Sequence, residues 1–349
     1  MKTNQKPGFI AGSLETRAGM VPLVTSHWSF RDYLGTWKVR SSFGRDAYKV
    51  NPGLYAIGSP GPESDVFVSA NYKLSFDVLR RGLEGISGWI LVLDTRGVNV
   101  WCAAGKGTFG TRELANRIKS SGLEKVVQHR RLIVPQLGAT GVSAHEVKAI
   151  SGFSVRYGPV KATDIRQFIA DGYKTSGNMR TVTFTLKERA KLIPNDFVYG
   201  KYYLLSAIAI VVVLSGLYPW GYSLTKVAGE GLRAGLNILA GYAAGIILAP
   251  LLLPLIPFRS FSMKGFVTGI LAVLLLTVFH LTGSSMYEMI SWFFMITAVS
   301  SFVMMNFTGS STYTSLSGVR KEMKIAIPFQ ISFASAGLII FLISNFTSK

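Results

Sequence analysis

Residues 89–110 read WILVLDTRGVNVWCAAGKGTFG, and this stretch decides the fold of the first half of the chain. Its first six residues form an apolar run rich in Ile, Leu and Val, which is typical of a strand buried on both faces of a parallel sheet. The glycine- and alanine-rich residues that follow are expected at the carboxyl end of that strand. In open α/β sheets, ligands bind beyond the carboxyl ends of the strands.

Strand and helix patterns alternate on both sides of this stretch. Strands that alternate with short helices favour βαβ units, and hence a mostly parallel, doubly wound, Rossmann-like α/β domain. The predicted strands are 65–70, 89–94, 131–135 and 154–156, with 181–185 as an edge strand, and the predicted helices are 76–85, 111–121, 143–151, 161–170 and 187–193. The predicted ligand-binding edge comprises 69–73, 94–107, 136–141 and 157–162.

Charge divides the 349-residue chain into two halves. The whole chain has 37 Lys and Arg against 18 Asp and Glu, a net charge of +19. Residues 202–349 hold eight of the basic and three of the acidic residues, which leaves 29 basic and 15 acidic residues, a net +14, in residues 1–201. We therefore expect a soluble domain at 56–200 and an all-α transmembrane domain at 201–349. Residues 1–55 are rich in Gly, Ser, Trp and Pro and show weak periodicity, so we expect an irregular extension there.

Five apolar blocks, each near the length that spans a bilayer as a helix, follow the basic half. They are 202–220, 236–257, 265–281, 289–307 and 325–346. Nine basic loop residues lie on the side of the N-terminal half and three on the other, which predicts a cytoplasmic N-terminal domain and an outside C-terminus. The protein is therefore expected to be a multi-pass protein of the cytoplasmic (inner) membrane. Residues 1–20 show no apolar run of signal-peptide length, so the soluble half is expected to stay in the cytoplasm.

The second apolar block carries two features of its own. Pro250, Pro254 and Pro257 predict a break near its end. Gly241 and Gly245 predict a small-residue face for close helix packing. The basic charge of the first half is assigned to the anionic membrane surface and not to nucleic acid, since no basic helix with interleaved aromatic residues is present.

Cys102 is the only cysteine of the chain. A single thiol forms no internal disulfide, no four-cysteine zinc site and no iron–sulfur cluster, so we expect no cluster in this chain. A lone cysteine is ordinarily buried and inert. Alternatively its sulfur is the functional atom, because the neighbouring Ala103, Ala104 and Gly105 leave room for a bulky planar ligand.

Two phosphate-binding motifs compete with that interpretation. Residues 105–110 match G-x-G-x-x-G, but the predicted strand ends ten residues earlier, whereas the dinucleotide fingerprint needs its glycines directly at the strand–helix turn. Gly105-Lys106 also suggests a P-loop, which fails because Gly107 replaces the required Ser or Thr. A nucleotide-binding membrane scaffold therefore stays as one alternative.

Residues 99–106, NVWCAAGK, resemble the signature N-[VI]-W-C-A-[AG]-G-K of the HgcA family, the corrinoid proteins of mercury-methylating pairs. A soluble α/β domain followed by about five membrane helices is also similar to that family over nearly the whole chain. The continuation at 105–111 and the segment 157–160 resemble the related corrinoid domain of the corrinoid iron–sulfur protein.

The resemblance implies a cobalamin-type corrinoid held base-off, with the Cys102 thiolate as the lower axial ligand of cobalt and the catalytic residue. The histidine-ligated corrinoid motif D-x-H-x-x-G is absent, since no histidine here has Asp two residues before it. A thiolate suits a soft metal centre. The cofactor-binding residues that the resemblance implies are Ser69, Asn99, Val100, Trp101, Cys102, Ala103, Ala104, Gly105, Lys106 and Ala162.

The implied activity is that of a corrinoid-dependent methyltransferase that forms methylmercury from Hg(II). The implied partners are a ferredoxin-like 4Fe-4S protein of the HgcB type, as reductant and Hg(II) donor, and a folate-dependent methyltransferase as methyl donor. The membrane helices then serve as an anchor or assembly platform among membrane lipid. A membrane-anchored corrinoid methyltransferase with another acceptor remains the alternative enzyme.

Overall fold

The computed structural model describes residues 7–307 and 316–347, which divide into two compact units, Met1–Thr183 and Phe184–Lys349. The division falls earlier than the predicted domain boundary at 200. A short helix that begins at Leu186 leads straight into the first long apolar helix, so both belong to the second unit.

In the part of the first unit that the structure describes there are seven strands and eight helices. The strands are β1 (Ile10–Thr16), β2 (Gly19–Val24), β3 (Gly53–Ile57), β4 (Val66–Ala70), β5 (Gly88–Leu93), β6 (Arg131–Val134) and β7 (Ser154–Tyr157). The helices are α1 (Phe30–Arg40), α2 (Lys73–Gly82), α3 (Val100–Gly105), α4 (Thr111–Ser120), α5 (Leu123–Val126), α6 (Ala144–Ser151), α7 (Ile165–Ala170) and α8 (Gly177–Arg180). Three 3₁₀ turns lie at Arg45–Ala47, Gln136–Gly138 and Ala162–Asp164.

All seven strands form one sheet in the order β1-β2-β3-β5-β4-β6-β7. The run β5-β4-β6-β7 is parallel, as predicted. The sheet as a whole is mixed, because β1 pairs antiparallel with β2 and β3 pairs antiparallel with β5. The α/β fold class is thus confirmed, with an antiparallel addition at one edge.

Two hydrophobic cores lie on opposite faces of the sheet. In β5, Trp89, Leu91 and Leu93 join one core, and Ile90 and Val92 join the other, as the period of two in a strand requires. The first core also holds the apolar faces of α4 and α6, and the second those of α2 and α7. Helices on both faces explain why the strand run at 89–94 is apolar without alternation.

The strand order places a topological switch point beside β4. From β4 the chain crosses through α2 to β5 on one side, and then through α3, α4 and α5 to β6 on the other side. Loops that leave neighbouring strands in opposite directions open a crevice at their carboxyl ends. In this unit the crevice lies at the ends of β4 and β6.

The expectation of an irregular extension at 1–55 is wrong. Residues 10–24 form the β1–β2 hairpin, and β2 pairs with β3 in the main sheet. The hairpin turn needs Gly19 with φ +107°, where Thr16 Oγ1 donates to Gly19 O over 2.7 Å. Many small and polar residues in these strands hide the alternation, since β1 is an edge strand whose residues are only partly buried.

The predicted edge strand at 181–185 is also absent, and the residues follow α8 as irregular backbone. The hydroxyls of Thr181 and Thr185 bond to nearby backbone instead of packing in a sheet. Thr181 Oγ1 donates to Gly177 O over 3.3 Å, and Thr185 caps the next helix, α9 (Leu186–Ala190), through a capping box with Glu188.

Among its described residues, the second unit contains five helices that are long and apolar enough to cross a membrane, as the five apolar blocks predicted. They lie at Leu186–Ser215, Leu224–Leu251, Phe261–Val278, Met286–Asn306 and Gly318–Thr347. The long elements in these spans are α10 (Ile193–Ser215), α12 (Leu232–Ala243), α14 (Phe261–Val278), α15 (Met286–Asn306) and α16 (Leu316–Thr347). The second span is completed by four shorter pieces: α11 (Leu224–Lys226), α13 (Ala249–Leu251) and two π-helical segments at Val227–Gly231 and Ala244–Leu248. Between the first and second spans, Leu217–Tyr218 pairs with Gly221–Tyr222 as a two-stranded sheet.

Small residues bring the second span against α15, as predicted. A Cβ on Gly241 would lie 3.2 Å from Ile296 Cα, and one on Gly245 would lie 2.5 Å from Ser300 O. The second span ends at Leu251, just after Pro250 and before Pro254, so the proline cluster ends the helix.

Candidate functional site

Helix α3 lies across the crevice at the switch point. It follows β5 after a short loop at 94–99, and it packs against β4 and against the 3₁₀ turn Gln136–Gly138 that follows β6. The stretch that resembles a known signature therefore forms one short helix at the carboxyl ends of the strands. This edge is where the sequence predicted the ligand site.

Asn99 begins this helix. Its backbone is extended, with φ −64° and ψ 160°, and its side-chain Oδ1 accepts a hydrogen bond from the backbone N–H of Cys102 over 2.9 Å. Asparagine is among the preferred N-cap residues because its short amide reaches the N–H groups of the first turn. The position of Cys102 is thus fixed by the side chain three residues earlier.

The two faces of α3 have different surroundings. Val100, Ala103 and Ala104 are 9%, 0% and 5% exposed and belong to the first hydrophobic core. At 100° per residue, Cys102 points to the opposite side, where it is partly buried. Val100, Ala103 and Ala104 therefore anchor the helix, although the resemblance implied that they bind the cofactor.

The outward face of α3 has open space next to Gly105, on the side of the helix that carries the thiol. Gly105 lies one turn after Cys102 on the same side of the helix and is exposed. A Cβ at Gly105 would find no heavy atom within 4 Å. Trp101 is partly buried, and Lys106, which ends the helix, is exposed. The space beside Gly105 is thus open on the side of the helix that carries the thiol.

The inward face of α3 is packed without spare room. A Cβ on Gly141 would overlap Phe109 O and lie 3.0 Å from Ala104 Cα, and a Cβ on Gly138 would lie 2.5 Å from the Phe109 ring. Phe109 is fully buried under the helix. The glycines at 138 and 141 and the alanine at 104 are small because two backbone segments meet here.

Asn71 is a site residue that the sequence reasoning did not single out. It is 3% exposed, and its Oδ1 accepts from Thr95 N, Thr95 Oγ1 and Gly97 N over 3.1, 2.9 and 2.9 Å. Its Nδ2 donates to Asp94 Oδ1 over 3.0 Å. Asn71 therefore joins the end of β4 to the loop that carries α3, and an asparagine directly after a predicted buried strand is the signal that could have identified it.

Ser69 and Ala162 do not join α3. Ser69 is 3% exposed at the end of β4, but it pairs with Val92 on the sheet face opposite to α3, and its hydroxyl donates only to Ala70 O over 3.4 Å. Ala162 packs against Gly82 at the C-terminal end of α2, which lies near the amino ends of the strands. Ala162 also packs against the second core, so it lies on the face of the sheet opposite to α3.

The G-x-G-x-x-G match at 105–110 joins two helices, α3 and α4, and not a strand to a helix. Gly105 ends α3, and Gly110 precedes α4 with no side chain to cap it. The dinucleotide fingerprint requires the strand–helix setting. This geometry argues against the nucleotide-binding alternative.

A buried ionic cluster lies at the start of α2. Lys73 Nζ donates to Asp32 Oδ1 over 2.7 Å and to Asp77 Oδ2 over 2.6 Å, and Arg80 pairs with both carboxylates over 2.9 and 2.8 Å. Burial alone lowers the pKa of Lys73, but its attraction to Asp77 and its bonds to Asp32 and Asp77 outweigh burial and raise it. Within the described residues no group of three His, Cys, Asp or Glu side chains is arranged to hold a metal ion.

Residues 43–169 match the family model described as the CO dehydrogenase/acetyl-CoA synthase delta subunit. The acetyl-CoA decarbonylase/synthase complex subunit gamma of Archaeoglobus fulgidus is 34% identical over 127 residues, which are 36% of this chain and 27% of that protein. The corrinoid/iron-sulfur protein large subunit of Moorella thermoacetica is 30% identical over 122 residues, 34% of this chain and 27% of that protein.

The matched segment extends from β3 to α7 and includes the whole of α3. Residues 43–169 are thus a domain homologous to the large subunit of the corrinoid/iron-sulfur protein and to the gamma subunits. The chain spans about a quarter of the length of these relatives, and the five apolar helices lie outside the matched segment.

Proposed function

We propose that the first unit binds a cobalamin-type corrinoid at the outward face of α3, with the Cys102 thiolate as the lower axial ligand of its cobalt. The observation that carries the proposal is the position of Cys102. The only thiol of the chain is partly buried, points away from the core and lies beside the bare Gly105, in a domain homologous to the corrinoid/iron-sulfur protein large subunit.

The residues at this edge fit such a group. A thiolate is a soft donor suited to a metal of that kind. Gly105 leaves open space of the sort that a flat macrocycle needs. Asn99 holds the helix turn that carries the sulfur, and Asn71 holds the loop before it. Hydrogen bonds to the groups that carry a metal ligand orient that ligand and tune its donor strength.

We further propose methyl transfer to Hg(II), with methylmercury as product, since residues 99–106 retain the eight-residue signature quoted above. When bound, the corrinoid supplies a cobalt centre that accepts and releases a methyl group. Cys102 would hold the cobalt through its sulfur and donate electron density to it. A strong donor would favour release of a methyl group as a carbanion equivalent, which electrophilic Hg(II) requires.

The remaining participants follow from the same proposal. Cys102 is the only cysteine in the sequence, so the electrons come from a ferredoxin-like 4Fe-4S protein, which also delivers Hg(II), and the methyl group comes from a folate-dependent methyltransferase. A first half of net charge +14 is complementary to an acidic ferredoxin. The five apolar helices anchor the protein in the cytoplasmic membrane with the first unit inside.

The test is the ultraviolet–visible spectrum of the full chain, purified in detergent and reconstituted with cobalamin without oxygen. The wild-type protein is expected to retain a corrinoid whose spectrum indicates a sulfur ligand. Cys102→Thr is expected to retain the corrinoid but to lose the sulfur signature, because a hydroxyl is a poor donor for a soft metal. Cys102→Ala is expected to abolish methylmercury formation in cells that contain the partner protein.

A matched control moves the thiol. Cys102→Ala combined with Ser120→Cys places a thiol at an exposed position of α4 and is expected to restore neither the spectrum nor the activity. A Cys102→Thr spectrum identical to wild type would exclude cobalt–sulfur ligation. Methyl transfer that persists with another acceptor but yields no methylmercury would favour the alternative enzyme of the same class.

A further inference from the structure

Helix α1 of the first unit turns an apolar stripe outward. The stripe consists of Phe30, Tyr33, Leu34 and Trp37, whose spacing of i, i+3, i+4 and i+7 puts them on one side of the helix. All four side chains are exposed, Phe30 to 80% and Trp37 to 63%. In a soluble domain such a stripe ordinarily packs against the core, and a contiguous exposed one marks a surface that binds a partner or a membrane.

Buried ion pairs on the opposite side of α1 fix this orientation. Asp32 lies on the side away from the apolar stripe and is buried. Its carboxylate pairs with Lys73 Nζ over 2.7 Å and with Arg80 Nη2 over 2.9 Å. A Cβ on Gly35 would overlap the Tyr48 hydroxyl, so this side of the helix also lies close against its neighbours. Because rotation of α1 would break buried ion pairs, which is strongly unfavourable, the apolar stripe stays outward.

The charge that α1 exposes is positive. Asp32 is the only acidic residue of the helix and is buried, whereas Arg31 and Lys38 are exposed. At 100° per residue, Arg31 and Lys38 both lie along the same edge of the apolar stripe. Aromatic and apolar residues beside Lys and Arg are typical of helices that lie in the interface of a membrane, where the basic side chains attract anionic lipid.

The membrane is also the surface that is always within reach of α1. Among its described residues, the same chain has five helices long and apolar enough to cross a bilayer. A surface to which the chain is already tethered has a high effective concentration, so even weak binding by one short helix is sufficient. An acidic protein would meet the same positive charges, but it would have to associate from solution.

We propose that α1 docks on the cytoplasmic surface of the membrane that anchors the chain. Phe30, Leu34 and Trp37 enter the headgroup region, and Arg31 and Lys38 lie beside anionic headgroups. The proposal rests on the membrane anchoring proposed above and is independent of the function proposed for Cys102.

The experiment measures contact between α1 and lipid in the full chain. The chain carries Cys102→Ala and one new cysteine, Leu34→Cys, labelled with bimane, and it is placed in nanodiscs of phosphatidylcholine and phosphatidylglycerol. Part of the phosphatidylcholine carries a doxyl group on its acyl chain, which quenches the label only at short range. The label on α1 is expected to lose fluorescence, whereas a label introduced by Ser120→Cys, at an exposed position of α4, is expected to keep it.

The basic residues are tested by neutral variants. Arg31→Gln combined with Lys38→Gln is expected to lower the docking equilibrium constant about 25-fold, because each basic residue near an anionic surface contributes about fivefold. Quenching in this variant should no longer depend on the phosphatidylglycerol content of the bilayer. Arg112→Gln combined with Lys119→Gln is the matched control, since both residues are exposed on α4, and it is expected to behave as wild type does.

The apolar stripe is tested in the same way. Phe30→Ser combined with Trp37→Ser is expected to abolish quenching, while Ile150→Ser, which replaces an exposed apolar residue of α6, is expected to leave it unchanged. Circular dichroism checks that each variant remains folded. The dependence on phosphatidylglycerol in the chain without these substitutions tests the proposal even if a variant unfolds.

A third label separates docking from anchoring. Leu271→Cys lies at an exposed position of α14, so its label is quenched when the second unit is inserted in the bilayer. Quenching at position 271 without quenching at position 34 would overturn the docking of α1 and leave the anchoring intact, and no quenching at either position would overturn both. Protection of the α1 label from a water-soluble quencher, without quenching by doxyl lipid, would show that protein covers this face and would also overturn the proposal.

Discussion

The side-chain Oδ1 of Asn99 accepts a hydrogen bond from the backbone N–H of Cys102 over 2.9 Å. The residue that begins α3 therefore also holds the residue that carries the only thiol of the chain. Since Cys102 is the sole cysteine, any reagent that reacts with thiols reports on this helix alone.

Asn99→Ala is expected to loosen the first turn of α3, because loss of an N-cap costs about 1 kcal/mol. Cys102 should then react with a disulfide reagent about fivefold faster, the factor that ~1 kcal/mol of local stability gives. The measurement is the rate of thiol modification in the full chain. Asn99→Ser keeps a neutral cap and is expected to react at the wild-type rate, and an unchanged rate in Asn99→Ala would contradict the role of the cap.

Gly105→Leu is expected to leave the fold intact while blocking the face beside the thiol. A Cβ at Gly105 meets nothing within 4 Å, so thermal unfolding should be unchanged within about 0.5 kcal/mol. The leucine side chain nevertheless occupies the space proposed for the corrinoid, and the protein should retain much less of it after reconstitution. Arg112→Leu, at an exposed position of α4, is the control. Wild-type corrinoid content in Gly105→Leu would show that the ligand does not lie there.

Gly141→Ala is expected to destabilise the first unit by about 2 kcal/mol, the usual cost of inserting atoms where no space exists. The added Cβ would meet Phe109 O and Ala104 Cα, both of which are backbone atoms and cannot rotate away. Chemical denaturation followed by circular dichroism measures the effect. Gly12→Ala is the control, since a Cβ there has no neighbour within 4 Å, and equal stability of the two variants would refute the packing argument.

The ionic cluster at α2 predicts a pH dependence of stability. Burial alone raises the pKa of Asp32, but hydrogen bonds from Lys73 and Ser29 outweigh burial and lower it from 3.8 to about 2. A lowered pKa in the folded state stabilises the protein above pH 4, and this contribution is lost as the pH falls through 2. Asp32→Asn should therefore cost about 2 kcal/mol at neutral pH and less near pH 2.

The measurement for this cluster is urea denaturation of wild type and Asp32→Asn across that pH range. Asp46→Asn, in which an exposed carboxylate is replaced, is expected to match wild type at every pH. A difference between wild type and Asp32→Asn that stays constant from neutral pH to pH 2 would show that the ion pairs are not its source.

Lys264 carries a prediction for the helical unit. It is 8% exposed, and its Nζ donates to Leu253 O and Ile256 O over 2.5 and 2.6 Å, two carbonyls that the proline-containing turn leaves without helical partners. Lys264→Met is expected to lower the free energy of unfolding by about 2 kcal/mol, as loss of a charged donor to buried acceptors does. Thermal unfolding in detergent measures it, with Lys201→Met as the control. Equal midpoints would contradict this role.

The parallel part of the sheet and the five apolar helices were predictable because both depend on hydrophobic runs. β4, β5 and β6 are short apolar segments between helical ones, and each apolar helix has the composition that a bilayer requires. The β1–β2 hairpin was missed because it lies at a sheet edge, where residues such as Ser13 and Glu15 need not be apolar.

The site was only partly predictable for a similar reason. The position of residues 99–106 after a predicted strand placed α3 at the carboxyl edge of the sheet, but it did not separate the side chains that stay open from those that pack in the core. The small side chains of Ala103 and Ala104 predicted an open surface for a ligand, but both residues are buried in the core of the folded unit. The separation of Ala162 from Cys102 depends on how the chain returns after β7, which no local pattern encodes.

Asn71 affects how tightly the carboxyl edge of the sheet could bind a ligand. Its amide ties together the loops that follow two strands, through four hydrogen bonds that need no bound molecule. These loops would then lose little conformational entropy when a ligand binds, so most of the free energy of the ligand contacts would contribute to affinity. A ligand bound to such rigid loops should dissociate slowly and should remain bound to the protein during purification.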